Sequence, residues 1–413
     1  MLKLLCAQLL VLLLTSPTLH AQSVLKGSKQ LAGTGPHILV RQGNGQVFGT
    51  GSNTLGQLGI NSKAIKVYFP TRMAGATKVT DLSAGDSHSC VVENGQAKCT
   101  GSDKYGQLGD KQKGNRLVLA PVFGLNTGVM EIYSGPRTSC TRMTKGGVKC
   151  WGAHSDGNKQ LPQIVAGFGP TRAVASVAIG DRYFCFLTID GKLYCMGSNE
   201  FGQLGVGNTT VLSTPTLVLG LNNLVSVACG YSHTCAVTSA GGMYCWGFNY
   251  NYGQLGNTNV VEYSTVPVPV TGLVNVAAAW AGGFNSFAVL KTGAVMGFGE
   301  NVYTQLGSGT GDRQPIPIPL GSQSIGVAEV RGGSLTTCIL QSSDGQVKCV
   351  GSNGYGQMGV GSKISSSASL LTMTGFGPIT KQPTSLRPTK RPTLAPTKRP
   401  TKRSTKKPTP KQG

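Results

Sequence analysis

Short segments rich in hydrophobic and β-branched residues recur along the chain, separated by Gly, Asn and Pro. In one stretch such segments lie at 79–85, 88–93, 96–101 and 119–125, with an Asn-Gly pair between the second and the third. Segments of this length between turn residues are typical of β-strands, and Asn-Gly is typical of a two-residue hairpin loop. The pattern therefore predicts units of four short strands.

The four-strand unit occurs seven times. Six copies carry the sequence Gly-x-Asn-x-x-Gly-Gln-Leu-Gly or a close variant, and the copies follow one another at intervals of 45 to 52 residues. The copies lie at 51–59, 101–109, 197–205, 247–256, 299–307 and 351–359, with a degenerate copy at 152–160. Four-stranded units at this period are the signature of β-propeller blades, which cover each other's faces around an axis. The sequence predicts an all-β fold, a seven-bladed propeller of four-stranded blades over residues 22–379.

A second element lies upstream of each motif, as Gly-x-x-His at Gly85–His88 and Gly230–His233. Together with the Gly-Gln-Leu-Gly motif it resembles the regulator of chromosome condensation 1 (RCC1) repeat. The resemblance implies a seven-bladed propeller. The intracellular family member is a guanine-nucleotide exchange factor that uses an additional hairpin wedge, for which repeats of at most 52 residues leave no room. The chain also resembles a secreted β-lactamase inhibitor of this propeller class, which binds through loops on one face.

The two ends differ from the repeats. Residues 1–21 read as a signal peptide, with Lys3 before an apolar run too short to span a bilayer. Residues 380–413 form a predicted disordered tail of Pro-Thr steps, and its eleven Lys and Arg without any Asp or Glu carry half of the formal charge of +22. We expect a secreted protein without a membrane span, whose tail binds an acidic polymer or matrix or serves only as a solubilising linker.

Ten cysteines flank the central hairpins in pairs. In the second blade, three positions counted outward from the loop place Cys90 opposite Cys99, at a spacing that a disulfide can bridge. The first and sixth blades lack both members of the pair together, and no Cys-x-x-Cys spacing favours zinc. The predicted disulfides are Cys90–Cys99, Cys140–Cys150, Cys185–Cys195, Cys235–Cys245 and Cys338–Cys349. Cys229 remains, and we expect an inert thiol in a tight buried slot rather than an intermolecular bond.

Catalytic motifs are lacking in the sequence. His37, His88 and His233 occupy one repeat position, which indicates a structural role, and the fifteen acidic residues form no recognisable acid–base pair. We therefore expect no enzyme, no catalytic residue, no metal and no cofactor. The alternative is an extracellular polysaccharide-active enzyme with a site at the central channel.

The residue before each Gly-Gln step indicates a binding face. Circular symmetry places these loops at one end of the propeller, and aromatic residues there offer contact area at low entropy cost. The candidate binding residues are Leu55, Tyr105, Phe201, Tyr252, Tyr303 and Tyr355, with Asp156 in the degenerate copy. The alternative is that each aromatic ring packs over its own blade. The favoured function is a secreted, monomeric, non-catalytic scaffold that recognises a protein or glycan through one face, with a glycan attached at Asn208.

Overall fold

The computed structural model describes residues 27–375, apart from 34, 308–312, 322–324 and 334. Contacts divide the chain into Met1–Gly377 and Pro378–Gly413, and every described residue lies in the first unit. The predicted signal peptide and the predicted basic tail both lie outside the described residues.

Seven antiparallel sheets make up the described part of the chain, and each contains four strands that are consecutive in sequence. The all-β, seven-bladed prediction is confirmed. The strands are, blade by blade, β1 Ser28–Ala32, β2 His37–Gln42, β3 Val47–Ser52, β4 Lys66–Arg72; β5 Val79–Ala84, β6 His88–Glu93, β7 Gln96–Gly101, β8 Arg116–Pro121; β9 Val129–Ser134, β10 Thr138–Met143, β11 Val148–His154, β12 Gly157–Ile164; β13 Val174–Ile179, β14 Tyr183–Thr188, β15 Leu193–Gly197, β16 Leu212–Leu217; β17 Leu224–Cys229, β18 His233–Thr238, β19 Met243–Phe248, β20 Tyr263–Pro269; β21 Val276–Ala281, β22 Asn285–Leu290, β23 Val295–Gly299, β24 Gln314–Pro319; and β25 Val327–Gly332, β26 Thr336–Gln341, β27 Val347–Ser352, β28 Ser366–Thr372.

The first strand of each blade lies innermost, and the ring closes between the seventh blade and the first. The Leu31 amide donates to Glu329 Oε2 at 2.7 Å, and the Gly27 amide donates to the Asp344 carbonyl at 2.9 Å. Both blades are built from their own consecutive strands. The ring is therefore closed by contact between two complete blades.

The hydrophobic core lies between neighbouring blades. Between the first two, Leu39, Leu58 and Met73 pack with Val79 and Val91, all almost fully buried. Because each blade completes the next one's core, no blade is expected to be stable alone. The outermost strands are open edges, and β24 (sequence QPIPIP) shows how they are protected. Proline has no amide proton to offer to another strand, so it blocks pairing with other chains.

The five predicted disulfides are present, each between residues directly opposite one another, with Cα atoms 4.0–4.2 Å apart. In the blade without a bond at β2 and β3, Leu39 faces Gly49. A Cβ on Gly49 would lie 2.9 Å from Leu39 Cδ2. The space between the second and third strands of a blade is filled either by a disulfide or by a large side chain opposite a glycine. This explains why the first blade lacks both cysteines together.

The Gly-Gln-Leu-Gly motif is a device for folding the loop between the third and fourth strands. In the first blade, Asn53 accepts from the Leu58 amide at 3.1 Å and donates to the carbonyls of Ser62 and Ala64. Gln57 accepts from the Leu55 amide at 2.9 Å. The motif residues are thus used internally, while the side chain before Gly-Gln is left outside this network.

The repeated histidines connect adjacent blades. His233 Nε2 lies 2.8 Å from Ser286 Oγ of the next blade, and that hydroxyl donates at 2.8 Å to the Gln254 carbonyl of the histidine's own blade. Since the hydroxyl proton is committed to Gln254, Nε2–H is the donor. His37 and His88 make the same bonds through Ser89 and Ser139. All three rings are fully buried, and burial lowers the pKa of His233 to about 3.

Gly247 is required by a close approach of two backbones. It has φ +97°, and a Cβ there would lie 2.5 Å from the Ser232 carbonyl oxygen, whereas Gly220 has φ +79° with open space around it. Gly220→Ala should lower the free energy of unfolding by about 1 kcal/mol, because only the positive φ is strained. Gly247→Ala should lower it by about 3 kcal/mol or more, because the backbone must also shift. Chemical unfolding of both variants checks this; equal losses would show that the close approach is not what requires glycine.

Candidate binding surface at the loop face

One end of the propeller carries two loops from every blade. The loops between first and second strands and between third and fourth strands emerge at the same end, because neighbouring strands in each blade are antiparallel. We call this end the loop face. The disulfide-bonded hairpins turn at the opposite end, which we call the hairpin face.

The predicted binding residues lie on the loop face but do not form a continuous ring. Tyr303 and Tyr355 are 44% and 38% exposed, and the other four are half-buried. In the third blade there is no Gly-Gln-Leu-Gly loop, since β11 and β12 are joined by a tight turn that contains Asp156. This shortened loop accounts for the 45-residue interval of the degenerate copy.

Two of the predicted residues belong to a cluster of five aromatic rings. Phe201 and Tyr252 lie 4.8 and 6.4 Å from Phe248, and Tyr252 stacks on Phe284 with centroids 4.6 Å apart. Tyr231 meets Phe284 edge-on at 5.4 Å. We call these residues the aromatic cluster. All five side chains are only partly buried, so the cluster presents aromatic surface to solvent across the fourth to sixth blades.

Three members of the aromatic cluster were not predicted from the sequence. Phe248 occupies the motif position that is serine in four other blades, and Tyr231 and Phe284 lie in the loops that precede the second strand. The available signal was the departure from the repeat. A large residue at a position that is small in most other blades has no role in the repeat itself.

Charged residues surround the channel mouth beside the cluster. Tyr231 Oη donates to Asp86 Oδ2 across the ring at 3.4 Å, and Arg137 Nε lies 3.8 Å from Asp181 Oδ1. Burial, and secondarily the charge of Asp181, raise the pKa of Asp86 to about 6. The mouth therefore combines aromatic and carboxylate groups.

A basic cleft lies on the loop face between the second and third blades. It has a volume of about 620 Å³ and is lined by Lys104, Lys111 and Lys113. Tyr105 lies beside it, with Lys104 Nζ 5.4 Å and the Arg137 guanidinium 5.3 Å from its ring. Among the predicted residues, Tyr105 thus belongs to a basic sector and Tyr252 to an aromatic one.

The central channel has a volume of about 400 Å³. The Arg331 guanidinium lies 3.9 Å from the centroid of the Trp280 ring. Cys229 is unbonded, as expected, but the predicted closed slot is wrong: the residue is half-buried and lines the channel. The residues at the equivalent position of other blades are small or aliphatic because they also line this channel. Burial raises the pKa of the Cys229 thiol to about 12, which disfavours the reactive thiolate.

Acidic residues beside the channel are engaged in contacts between or within blades. Asp81 accepts from Gln30 at 2.6 Å and from the Ile132 amide at 2.8 Å, and Glu131 pairs with Arg142 at 2.7 Å. Across the residues that the structure describes, no group of three or more His, Cys, Asp or Glu side chains is placed to hold a metal ion. The same residues contain no helix of the length and apolarity that crossing a membrane requires.

Asn208 lies exposed on the loop face between β15 and β16, and its Oδ1 accepts from the Thr210 amide at 2.9 Å. Its glycosylation stays a prediction.

The fold and the loop surface define a β-propeller whose blades are bound together by repeated motif residues. Family models described as regulator of chromosome condensation (RCC1) repeat match residues 44–92, 190–237 and 240–289, and a second model of the same description matches 79–107, 174–203 and 224–254. The chain therefore contains repeats of the RCC1 family.

Curated relatives share the repeat but are longer proteins. The human E3 ubiquitin-protein ligase HERC2 is 28% identical over 339 residues, which cover 77% of this chain and 7% of HERC2. The Arabidopsis thaliana ultraviolet-B receptor UVR8 is 29% identical over 198 residues, 46% of this chain and 44% of UVR8. The matches thus span less than half the length of these relatives.

Solved structures share the fold. Yeast RCC1 (Prp20), solved bound to Kap60, superposes with a TM-score of 0.70 at 18% identity, covering 86% of each chain. Human WBSCR16 gives 0.71 at 21% identity, covering 80% of this chain and 94% of its own. The CRINKLY WD40 ectodomain of the Arabidopsis thaliana receptor kinase ACR4 gives 0.52 at 17% identity, covering 84% and 100%.

Proposed function

We propose that this chain is a secreted, non-catalytic binding propeller that recognises a protein or glycan ligand through its loop face. The observation that carries the proposal is the aromatic cluster, a group of partly exposed rings of which three, Tyr231, Phe248 and Phe284, stand at positions where the other blades have no aromatic residue. Exposed aromatic residues beside charged groups are characteristic of recognition surfaces.

Secretion is supported by the disulfides. Five bonds between paired strands persist only in an oxidising environment. The basic residues of 380–413 would then attach the protein to an acidic polymer or matrix. Yeast Prp20p, with the same fold, has been studied for its binding to Gsp1p and histones, so a protein ligand is one of the two classes to test here.

A catalytic role is not part of the proposal. Asp81 and Glu131, which lie beside the channel, are committed to structural bonds, and the repeated histidines are buried between blades. Exchange activity is not proposed either, since each described blade consists of four consecutive strands without an added sheet hairpin.

Affinity capture from the extracellular fraction tests the proposal. We expect Phe284→Ser to reduce capture of the ligand by about tenfold, because it interrupts the aromatic cluster. Ile189→Ser, at an exposed residue of the hairpin face, is the matched control and should have no effect. A chain ending at Pro378 should lose only the ligands of the tail. If Ile189→Ser abolishes capture of a ligand and Phe284→Ser does not, the ligand binds the hairpin face and the proposal is wrong.

A further inference from the structure

A cleft of about 430 Å³ opens on the loop face between the fifth and sixth blades, next to the aromatic cluster. Its walls include Tyr252 from one blade and Glu300, Val302 and Arg313 from the other. The volume lies within the roughly 300–1,000 Å³ of small-molecule sites. The Tyr252 ring is held in place by stacking on Phe284, so one wall of the cleft is a supported aromatic surface.

Glu300 departs from the repeat in a way that the fold does not explain. Its motif position is serine in four blades, and its amide donates to the Phe284 carbonyl at 2.9 Å, so the backbone needs no carboxylate there. Glu300 Oε2 is buried and accepts no hydrogen bond. An unsatisfied buried carboxylate oxygen is costly unless a ligand supplies a donor.

The second charged wall is Arg313. It donates to the Asn251 carbonyl at 3.3 Å and forms no ion pair with Glu300 or with any other acid that the structure describes. A cationic ligand would be opposed by Arg313, and an anionic one by Glu300. A neutral group that both donates and accepts hydrogen bonds satisfies the two walls at once.

We infer that this cleft binds a neutral saccharide, with its hydroxyl groups on Glu300 and Arg313 and an apolar ring face on Tyr252. Sugar hydroxyls donate and accept, and the C–H groups of a pyranose form a flat apolar face that packs on an aromatic ring. The inference rests on the proposed function, because it names the ligand class of one sector of the loop face.

Binding of neutral gluco-, manno-, xylo- and chito-oligosaccharides to the full chain, measured by calorimetry, tests the inference. The two test variants are Glu300→Ser and Tyr252→Leu. Each introduces the residue that another blade has at the same position, so the fold should accommodate it. Each should weaken binding by about tenfold or more, because it removes a charge-assisted hydrogen bond or a stacking surface. Ile189→Ser, on the hairpin face and away from the cleft, is the control and should bind normally. Unchanged melting temperatures establish that each variant is folded.

Glu300→Gln separates a neutral ligand from a cationic one. The amide oxygen still accepts from a hydroxyl, so saccharide binding should fall by no more than about threefold, whereas binding of a cation should be lost. Absence of binding by the whole panel, or equal binding by Glu300→Ser and wild type, overturns the inference. If capture through Phe284 persists in that case, the proposed function stands without it; if capture is also independent of Phe284, both fail.

Discussion

Lowering the pH from 7 to 5 is expected to destabilise this propeller by about 2 kcal/mol for each of three histidines. Burial lowers the pKa of His37 and His233 to about 3 and that of His88 to about 4, against about 6.5 in an unfolded chain. The unfolded state therefore binds more protons below pH 6.5. The contribution of the neutral histidines to the free energy of unfolding is fully present above pH 6.5 and is lost progressively as the pH falls to their folded-state pKa values of about 3 to 4. Asp86, whose pKa is raised to about 6, partly offsets this loss because it takes up a proton in the folded state.

The repeat supplies the control for this pH dependence. Asn285 occupies the histidine position in the sixth blade, so His233→Asn uses a residue that the fold already accommodates. Guanidinium unfolding of both proteins at pH 7, 6 and 5 should show that the free energy of unfolding falls less steeply with pH in the variant, by about 1 kcal/mol per pH unit averaged over this range. Identical slopes would mean that His233 takes up a proton as readily in the folded state as in the unfolded chain, contrary to its complete burial.

Local sequence predicted the parts of this fold that each blade repeats. The Asn94-Gly95 loop determined the pairing of β6 with β7, because a two-residue loop leaves only one register. The structure has both residues at positive φ, 53° and 72°, as the Asn-Gly sequence favours. Every cysteine pair followed from the same count.

The surface between blades was not predictable in this way. Phe248 and Phe284 come from neighbouring blades, and their 6.2 Å contact depends on how the blades pack. The six candidate residues were chosen by motif position. Tyr252 belongs to the aromatic cluster, whereas Tyr303 is exposed and makes no ring contact with the cluster among the residues that the structure describes. Circular symmetry correctly predicted that the loops lie on one face. It could not predict which side chains of adjacent blades contact each other where those blades depart from the repeat.

Reduction of the disulfides is expected to unfold the propeller at ordinary temperature. Each bridge closes a loop of about ten residues, worth up to about 2.7 kcal/mol by restricting the unfolded chain. The five together are comparable with the whole stability of an ordinary domain, about 5–15 kcal/mol. Circular dichroism melts with and without a phosphine reductant measure the effect. An unchanged melting temperature after verified reduction of all five bonds would show that the packing between blades suffices.

Variants of the second blade alone distinguish the contribution of a disulfide from the contribution of side-chain packing at the same place. The first blade uses Leu39 and Gly49 where the second uses Cys90 and Cys99, so the double variant Cys90→Leu/Cys99→Gly replaces the bridge with a pair that the repeat already packs. It should lose at most about 3 kcal/mol. Cys90→Ser should lose more, because it removes the bond and also buries a hydroxyl and a thiol in an apolar layer. If Cys90→Ser proved as stable as the double variant, the joint exchange of both residues in the first blade would not reflect packing.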